Sequence, residues 1–253
     1  MYKPLPLDYD IRGELVRYSE DVLAGKIPAC EAHKWACLRF LNDLKREGTS
    51  EFPYLFVPKK AIRFLNWMKL FRHTKGVLRG QRIDPHIIQR FIFGNIYGWS
   101  HMETGLRRFR KGYWQVARKN TKSQSNACVG SYEAAAMGAG MAEVYCAATK
   151  TDQAKIVWDE IDVMIRNCPE LRDKFKTAYG RIIHKKTGSF IRTLSKEDRR
   201  TGDGLNPQCG IIDEYHAHET SEFYDILVSG MGAREEPLLM VITTAGFELN
   251  NPC

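Results

Sequence analysis

The sequence predicts an α/β fold: a mainly parallel sheet with helices on both faces, preceded by a helical N-terminal region. Three observations carry that expectation. From about residue 108 onward, apolar runs of strand length alternate with longer amphipathic stretches, the pattern of β-α-β units. Two of those runs, CGIIDEY (209–215) and LLMVITTA (238–245), are almost continuously apolar, as strands buried on both faces must be. Before residue 108 the apolar spacing is helical instead.

Taken in order, residues 8–47 read as helical, with a break near Gly25 to Pro28. Residues 29–46 place Ala32, Trp35, Ala36, Phe40 and Leu44 on one face, and Gly48 stops the helix. A further helix is expected over 59–72 and a loop over 76–82. Pro85 then opens another helix, since proline fits a first turn. Strands are expected at 108–117, 142–149 and 188–195, besides the two apolar runs. A helix of small residues falls at 123–138 and another at 220–230. Residues 151–167 form an amphipathic helix with Ala154, Val157, Trp158, Ile161, Met164 and Ile165 aligned. The expected division is a helical region, 1–80, packed on a core domain, 81–253.

Composition narrows the function classes. Hydrophobic residues make up 43% and charged residues 27%, which is ordinary for a globular protein. The net charge of +8 favours a polyanionic partner, nucleotide or nucleic acid. Seven cysteines, Cys30, Cys37, Cys128, Cys146, Cys168, Cys209 and Cys253, form no C-x-x-C pair and are odd in number. They read as reduced thiols of a cytosolic protein rather than a disulfide frame or a zinc site. The N-terminus MYKPLPLDYD has no apolar signal core. No apolar run approaches the roughly 18 residues of a membrane span.

Three segments carry chemistry. VARKNTKS (116–123) lies at a strand-to-helix junction, where backbone N–H groups can wrap phosphates. Lys122 would reach the terminal phosphates and Ser123 would hold magnesium. The strict Walker A pattern is missed, because Val116 and Thr121 stand where it has glycine. Alone, the segment equally fits a basic loop ahead of a helix. GIIDEYHAH (210–218) ends an apolar strand in two acids, at the edge where α/β sheets bind ligands. Asp213 would hold the magnesium through water, and Glu214 would orient and deprotonate the attacking water. Alone, it equally fits a strand ending in solvated acids. In ITTAG (242–246), the hydroxyls of Thr243 and Thr244 are placed to sense a γ-phosphate, or merely to cap the strand. The first two motifs, in that order and separated by strands and helices, make the expected fold a P-loop NTPase, a three-layer sandwich binding ATP and Mg2+. His216 and His218 lack a third ligand or a cysteine nearby and do not read as a zinc site.

IDPHIIQRFIFGNIYGW, ETGLRRFRKGYWQVARKNTKS, AATKTDQAKIVWDEID, LSKEDRRTGDGLNPQCGIIDEYHAH and VITTAG together resemble the N-terminal ATPase half of tailed-bacteriophage terminase large subunits, over about residues 80–246. The family's loop often reads R-K-N-G-K-S, matched by Arg118, Lys119, Asn120, Lys122 and Ser123, with Gln124 following. Thr121 departs from the family glycine, and a β-branched residue resists φ > 0. The resemblance implies that Gln89 reads the adenine edge. It also implies an arginine finger, with Arg199, Arg200 and, in cis, Arg118 as candidates.

The implied activity is ATP hydrolysis that drives double-stranded viral DNA into a procapsid. The implied partners are that DNA, the portal protein and the small terminase subunit, in the host cell cytoplasm. The implied assembly is a homo-oligomeric ring of five on the portal, with a monomer in isolation. Arg107, Arg108, Arg110 and Lys111 are candidates for DNA phosphates, or a solvated strand edge. Because the sequence stops at Asn251-Pro252-Cys253, no C-terminal nuclease domain is expected within it. The alternatives are a nucleotide-binding or DNA-docking module impaired in hydrolysis by Thr121, and another helicase-like P-loop translocase.

Overall fold

The computed structural model describes residues 2–138, 140–149, 151–194, 204–246, 248 and 250–253, excepting the side chains of 151–153. The chain forms two compact units, each discontinuous in sequence. One comprises Met1–Lys69 with Asp84–Phe109, the other Leu70–Ile83 with Arg110–Cys253.

The first unit holds α1 (Ile11–Leu23), α2 (Glu31–Lys45), α3 (Pro58–Leu70) and α4 (Ile87–Gly98), with a short antiparallel pair, β1 (Tyr54–Phe56) and β2 (Trp99–His101). Asp10 starts α1 by accepting from the Gly13 N–H, the usual service of an N-cap aspartate. The unit closes on an aromatic centre: Phe40 meets Phe56, Phe91 and Trp99 edge-on, at centroid distances of 5.7, 5.8 and 6.3 Å. The buried stripe of α2 runs through Cys37, Phe40 and Asp43. Trp35, expected on the inner face, stands 66% exposed. A second helical spacing was available to the same segment, and Asp43 tolerates burial because Arg46 and Arg108 pair with it.

The second unit is the expected α/β body. Seven strands lie in one sheet: β3 (Lys111–Gln115), β4 (Glu143–Ala147), β5 (Phe175–Ala178), β6 (Arg181–His184), β7 (Phe190–Thr193), β8 (Pro207–Ile212) and β9 (Leu238–Thr243). Their order is β3-β9-β8-β4-β7-β6-β5. The first five are parallel, and β6 and β5 add an antiparallel hairpin at one edge. Helices α5 (Lys122–Ala135), α6 (Thr151–Arg166) and α7 (Glu222–Gly230) connect them. Both predicted apolar strands, β8 and β9, are buried at every residue.

Alternation divides the two faces of the sheet. Tyr145, Ala147, Ile212 and Val241 share a core with Phe223 and Leu227 of α7. Val144 and Ile211 face the other way, against Gly130 of α5 and Ile161 of α6. Gly210 sets how closely α7 approaches, since a Cβ there would stand 2.8 Å from Leu239 and 2.9 Å from Leu227. No helix among the described residues is long and apolar enough to cross a membrane.

Candidate active site

The C-terminal ends of three adjacent strands, β3, β9 and β8, carry the three predicted motifs, and the sheet order brings them side by side. The loop after β3 opens α5 at Lys122, and the first helical hydrogen bond runs from Ser125 N–H to the Thr121 carbonyl. The N–H groups of Lys122, Ser123 and Gln124 therefore have no acceptor within the helix, the arrangement that receives anions. The loop gets its turn from two left-handed residues, Lys119 at φ 65° and Thr121 at φ 57°. Thr121 thus adopts the conformation for which glycine is suited. Asn120 folds the loop on itself by donating to the carbonyls of Ala117 and Arg118 at 3.0 and 3.2 Å. Arg118 and Lys119 are exposed.

Lys122 is buried, and its ammonium donates to the Val116 carbonyl at 3.1 Å. Asp213 is buried too. Burial pushes its carboxyl up to about 6. The Glu214 N–H, bonded to Oδ1 at 2.8 Å, pulls it down, the Glu214 charge pushes it up, and the Lys122 charge pulls it down again. A desolvated carboxylate facing a single buried ammonium fits a site completed by a divalent cation. Asp213 and Ser123 are the residues that would hold it.

Glu214 sits at φ 50°, beginning a short 3-10 turn, Tyr215–Ala217. Its Oε2 accepts from Thr244 Oγ1 at 3.3 Å and lies 3.2 Å from His216 Nδ1. Thr243 Oγ1 donates to the Thr244 carbonyl at 2.9 Å. It accepts from the His216 N–H at 2.9 Å and stands 3.0 Å from His216 Nδ1. With the hydroxyl hydrogen committed, Nδ1 is the donor toward both Thr243 and Glu214, which fixes the tautomer. Gly246 lets this histidine in, since a Cβ there would fall 2.8 Å from His216 Cβ. His218 lies apart from this pairing. Its Nε2 contacts the Asp213 carbonyl oxygen at 3.2 Å, and burial lowers its pKa.

The structure brings Lys122, Asp213, Glu214, Thr243 and Thr244 to one edge of the sheet, and with them His216, which sequence reasoning weighed only as half of a zinc pair. Its partners lie 27 and 28 positions away in sequence, so only the pairing of β8 with β9 brings them together. A second network also escaped notice. Gln124 Nε2 donates to Thr74 and Glu160 at 2.9 and 3.1 Å, its Oε1 lies 2.9 Å from His73 Nδ1, and Lys75 pairs with Glu160 at 3.0 Å. Burial works to raise the Glu160 pKa, but donation from Thr74, Gln124 and Lys75 outweighs it and holds the group low. The segment 73–75 is thereby tied to the first turn of α5, through the Gln124 side chain.

Gln89 belongs to the first unit, where its Oε1 accepts from the His86 N–H at 2.8 Å and closes the capping box of α4. Arg199 and Arg200 lie outside the described residues. The basic run ahead of the loop is engaged in the fold. Arg107 is buried with its guanidinium over Tyr97, Arg108 pairs with Asp43, Arg110 donates to the Glu235 carbonyl and Lys111 to the Tyr224 hydroxyl.

Comparison with known proteins supplies the remaining findings. Residues 88–253 match the family model described as terminase large subunit, ATPase domain. Over 98 residues the chain is 36% identical to Protein YmfN of Escherichia coli (strain K12), covering 39% of this chain and 20% of that protein. The crystal structure of the HK97 bacteriophage large terminase superposes with a TM-score of 0.62 at 23% identity, over 73% of this chain and 37% of that one. The Thermus phage P74-26 large terminase ATPase domain aligns at a TM-score of 0.48 and 16% identity, over 65% and 66% of the two chains. The chain thus spans well under half the length of YmfN and of the HK97 protein. The HK97 likeness supports the fold, a mainly parallel α/β sheet of P-loop type.

Proposed function

The chain belongs to the terminase large subunit ATPase domain family, and from that membership we propose that it hydrolyses ATP to drive double-stranded DNA into a viral procapsid. The observation that carries the reading is the convergence of buried Lys122, buried Asp213 and the Glu214–His216–Thr244 cluster at the ends of three adjacent strands. Buried charges of both signs are costly unless they serve a ligand or each other.

In this reading the N–H groups of 122–124 and the Lys122 ammonium bind the phosphates. Ser123 and Asp213 would hold magnesium, which would supply positive charge at the phosphate oxygens. Glu214 Oε1 or Oε2 takes the proton of the attacking water, and His216 Nδ1 and Thr244 Oγ1 hold that carboxylate in place. Thr243 and Thr244, at the end of β9, register whether a γ-phosphate is present. Arg118 stands at the loop as the cis candidate for the finger, with Arg199 and Arg200 as the trans candidates in a ring. The portal protein and the small terminase subunit are the partners this reading implies, in the host cell cytoplasm.

The test is a split between binding and turnover. Glu214→Gln should bind a fluorescent ATP analogue as the wild type does and lose turnover by several orders of magnitude. Lys122→Ala should lose both. Wild-type turnover in Glu214→Gln would remove Glu214 as the general base, and nucleotide binding without turnover in the unsubstituted chain would return it to a nucleotide-binding module without hydrolysis.

A further inference from the structure

The β5–β6 hairpin and the residues flanking its base carry an exposed basic run. Between Arg172 and Lys186 there are six lysines and arginines and one acid, Asp173. Lys174, Lys176, Arg181, Lys185 and Lys186 are all exposed. Among the described residues, none of Lys174, Lys176 and Lys186 forms a salt bridge. Their field is felt inside the hairpin: His184 is held below its ordinary pKa by burial first and by the charges of Lys174 and Lys186 next. Arg181 stands over the Phe190 ring and Lys185 donates to the Asp173 carbonyl, so the contrast with the run at 107–111 rests on Lys174, Lys176 and Lys186.

The tip adds an independent observation. Tyr179 and Gly180 both have positive φ, 51° and 69°, the two-residue turn that normally takes asparagine and glycine. A tyrosine there is disfavoured, because a bulky side chain crowds the left-handed backbone. Its ring gains nothing from the fold in return, since the side chain is entirely in solvent. A strained aromatic residue standing free at the end of a cationic ribbon is suited to something outside the chain.

We propose that the β5–β6 hairpin is a docking surface for the phosphate backbone of duplex DNA, with Tyr179 reaching the groove edge. A protein partner would need an apolar centre, and Tyr179 is the one large hydrophobic residue exposed on this element. A repeating polyanion needs what the hairpin offers, Lys176 on the ribbon, Lys174 and Lys186 at its base and a hydroxyl donor at its tip. A two-stranded ribbon is also narrow enough for a major groove about 12 Å wide. The inference names the DNA-facing element of the proposed motor and so rests on that reading.

The experiment is fluorescence anisotropy of the full chain on a labelled 30-base-pair duplex, repeated over a series of salt concentrations. Every phosphate that is no longer neutralised should make the log–log salt slope shallower by about 0.9. The triple variant Lys174→Gln/Lys176→Gln/Lys186→Gln should flatten the slope by about 2 to 3 and weaken binding at least tenfold. Tyr179→Ala should weaken it a few-fold with the slope kept. A control triple on exposed lysines of the first unit, Lys3→Gln/Lys45→Gln/Lys59→Gln, should change neither. A hairpin triple that binds as the wild type, or a control that weakens binding equally, overturns the proposal. Nucleotide affinity, read in parallel, separates the two readings. A chain that binds duplex through the hairpin but binds no nucleotide refutes the motor and leaves the docking surface standing.

Discussion

The two ends of the central sheet handle charge in opposite ways. At the ends of β3, β9 and β8 the charged groups are turned inward: Lys122 and Asp213 are buried, and Glu214 is bonded to neighbours on the next strand. At the β5–β6 edge the charged groups are turned outward, and the element buries Phe175, Ile182 and His184 instead. Both regions hold bulky residues at positive φ: Lys119, Thr121 and Glu214 at one, Tyr179 at the other. Charge content alone would rank the two alike. What separates them is desolvation, which makes an inward charge reactive and leaves an outward one available for screened, long-range attraction. The difference can be broken or sharpened by substitutions that change one region's energetics and leave the other's intact.

The largest effect should come from neutralising the buried acid. The carboxyl of Asp213 moves from an ordinary 3.8 to about 6 on folding. Because the folded value is the higher one, this group favours the fold at low pH, and the contribution disappears as pH rises through about 6. At neutral pH the chain carries a buried carboxylate at a cost of about 3 kcal/mol. Asp213→Asn removes that cost while losing magnesium-dependent nucleotide binding. In EDTA at pH 8 the variant should melt several degrees above the wild type, and at pH 4 the two should converge. Equal melting temperatures at pH 8 would mean that the carboxylate is not desolvated. Neutralising Lys176 of the hairpin should shift neither melt, because an exposed cation carries no such desolvation cost.

A smaller effect, about tenfold in turnover or 1.4 kcal/mol, should follow from His216. His216→Leu removes the Nδ1–H that faces Glu214 and Thr243. His216→Asn places an amide nitrogen where Nδ1 stood and should recover most of the deficit, whereas His216→Gln, whose nitrogen reaches the Nε2 position, should not. Nucleotide affinity should stay constant through the series while kcat changes. If Asn and Gln behave alike, the histidine only fills space beside Gly246.

The parallel half of the sheet was legible because burial on both faces writes itself as continuous apolar sequence, as in β8 and β9. The closeness of the acids at the end of β8 to the lysine at the start of α5 was legible because the parallel strands end at one edge of the sheet, where α5 begins. The hairpin was not, because each of its strands has four residues, too few for alternation to stand out among its lysines. The role of His216 was not, because its contacts with Thr243 and Thr244 lie 27 and 28 positions away. The inner face of α2 was misjudged at Trp35, since two helical stripes fitted the spacing and only the pairing of Asp43 with arginines chose between them. For His216 and α2 the missing information is a contact distant in sequence.

The smallest effect compares the two strained tips directly. Thr121, at φ 57°, does not cap α5 with its side chain, and its left-handed backbone is the strain that glycine would relieve. An L-residue in the left-handed region costs roughly 1–2 kcal/mol, and glycine gives back about 0.5–1 kcal/mol through the freer unfolded chain. Thr121→Gly should therefore stabilise the protein by about 0.5–1 kcal/mol, a rise of about 1–4 °C in melting temperature. Tyr179→Gly, at nearly the same φ, should give a similar rise. The functional consequences should then separate. Thr121→Gly keeps nucleotide binding and leaves DNA binding alone, while Tyr179→Gly keeps nucleotide binding and loses DNA affinity a few-fold. Differential scanning fluorimetry of the two variants, paired with the anisotropy and nucleotide titrations, checks both. A fall in melting temperature for Thr121→Gly would mean that the threonine side chain holds the loop in a way its backbone angle does not reveal. A rise for one variant and not the other would break the equivalence of the two strained sites.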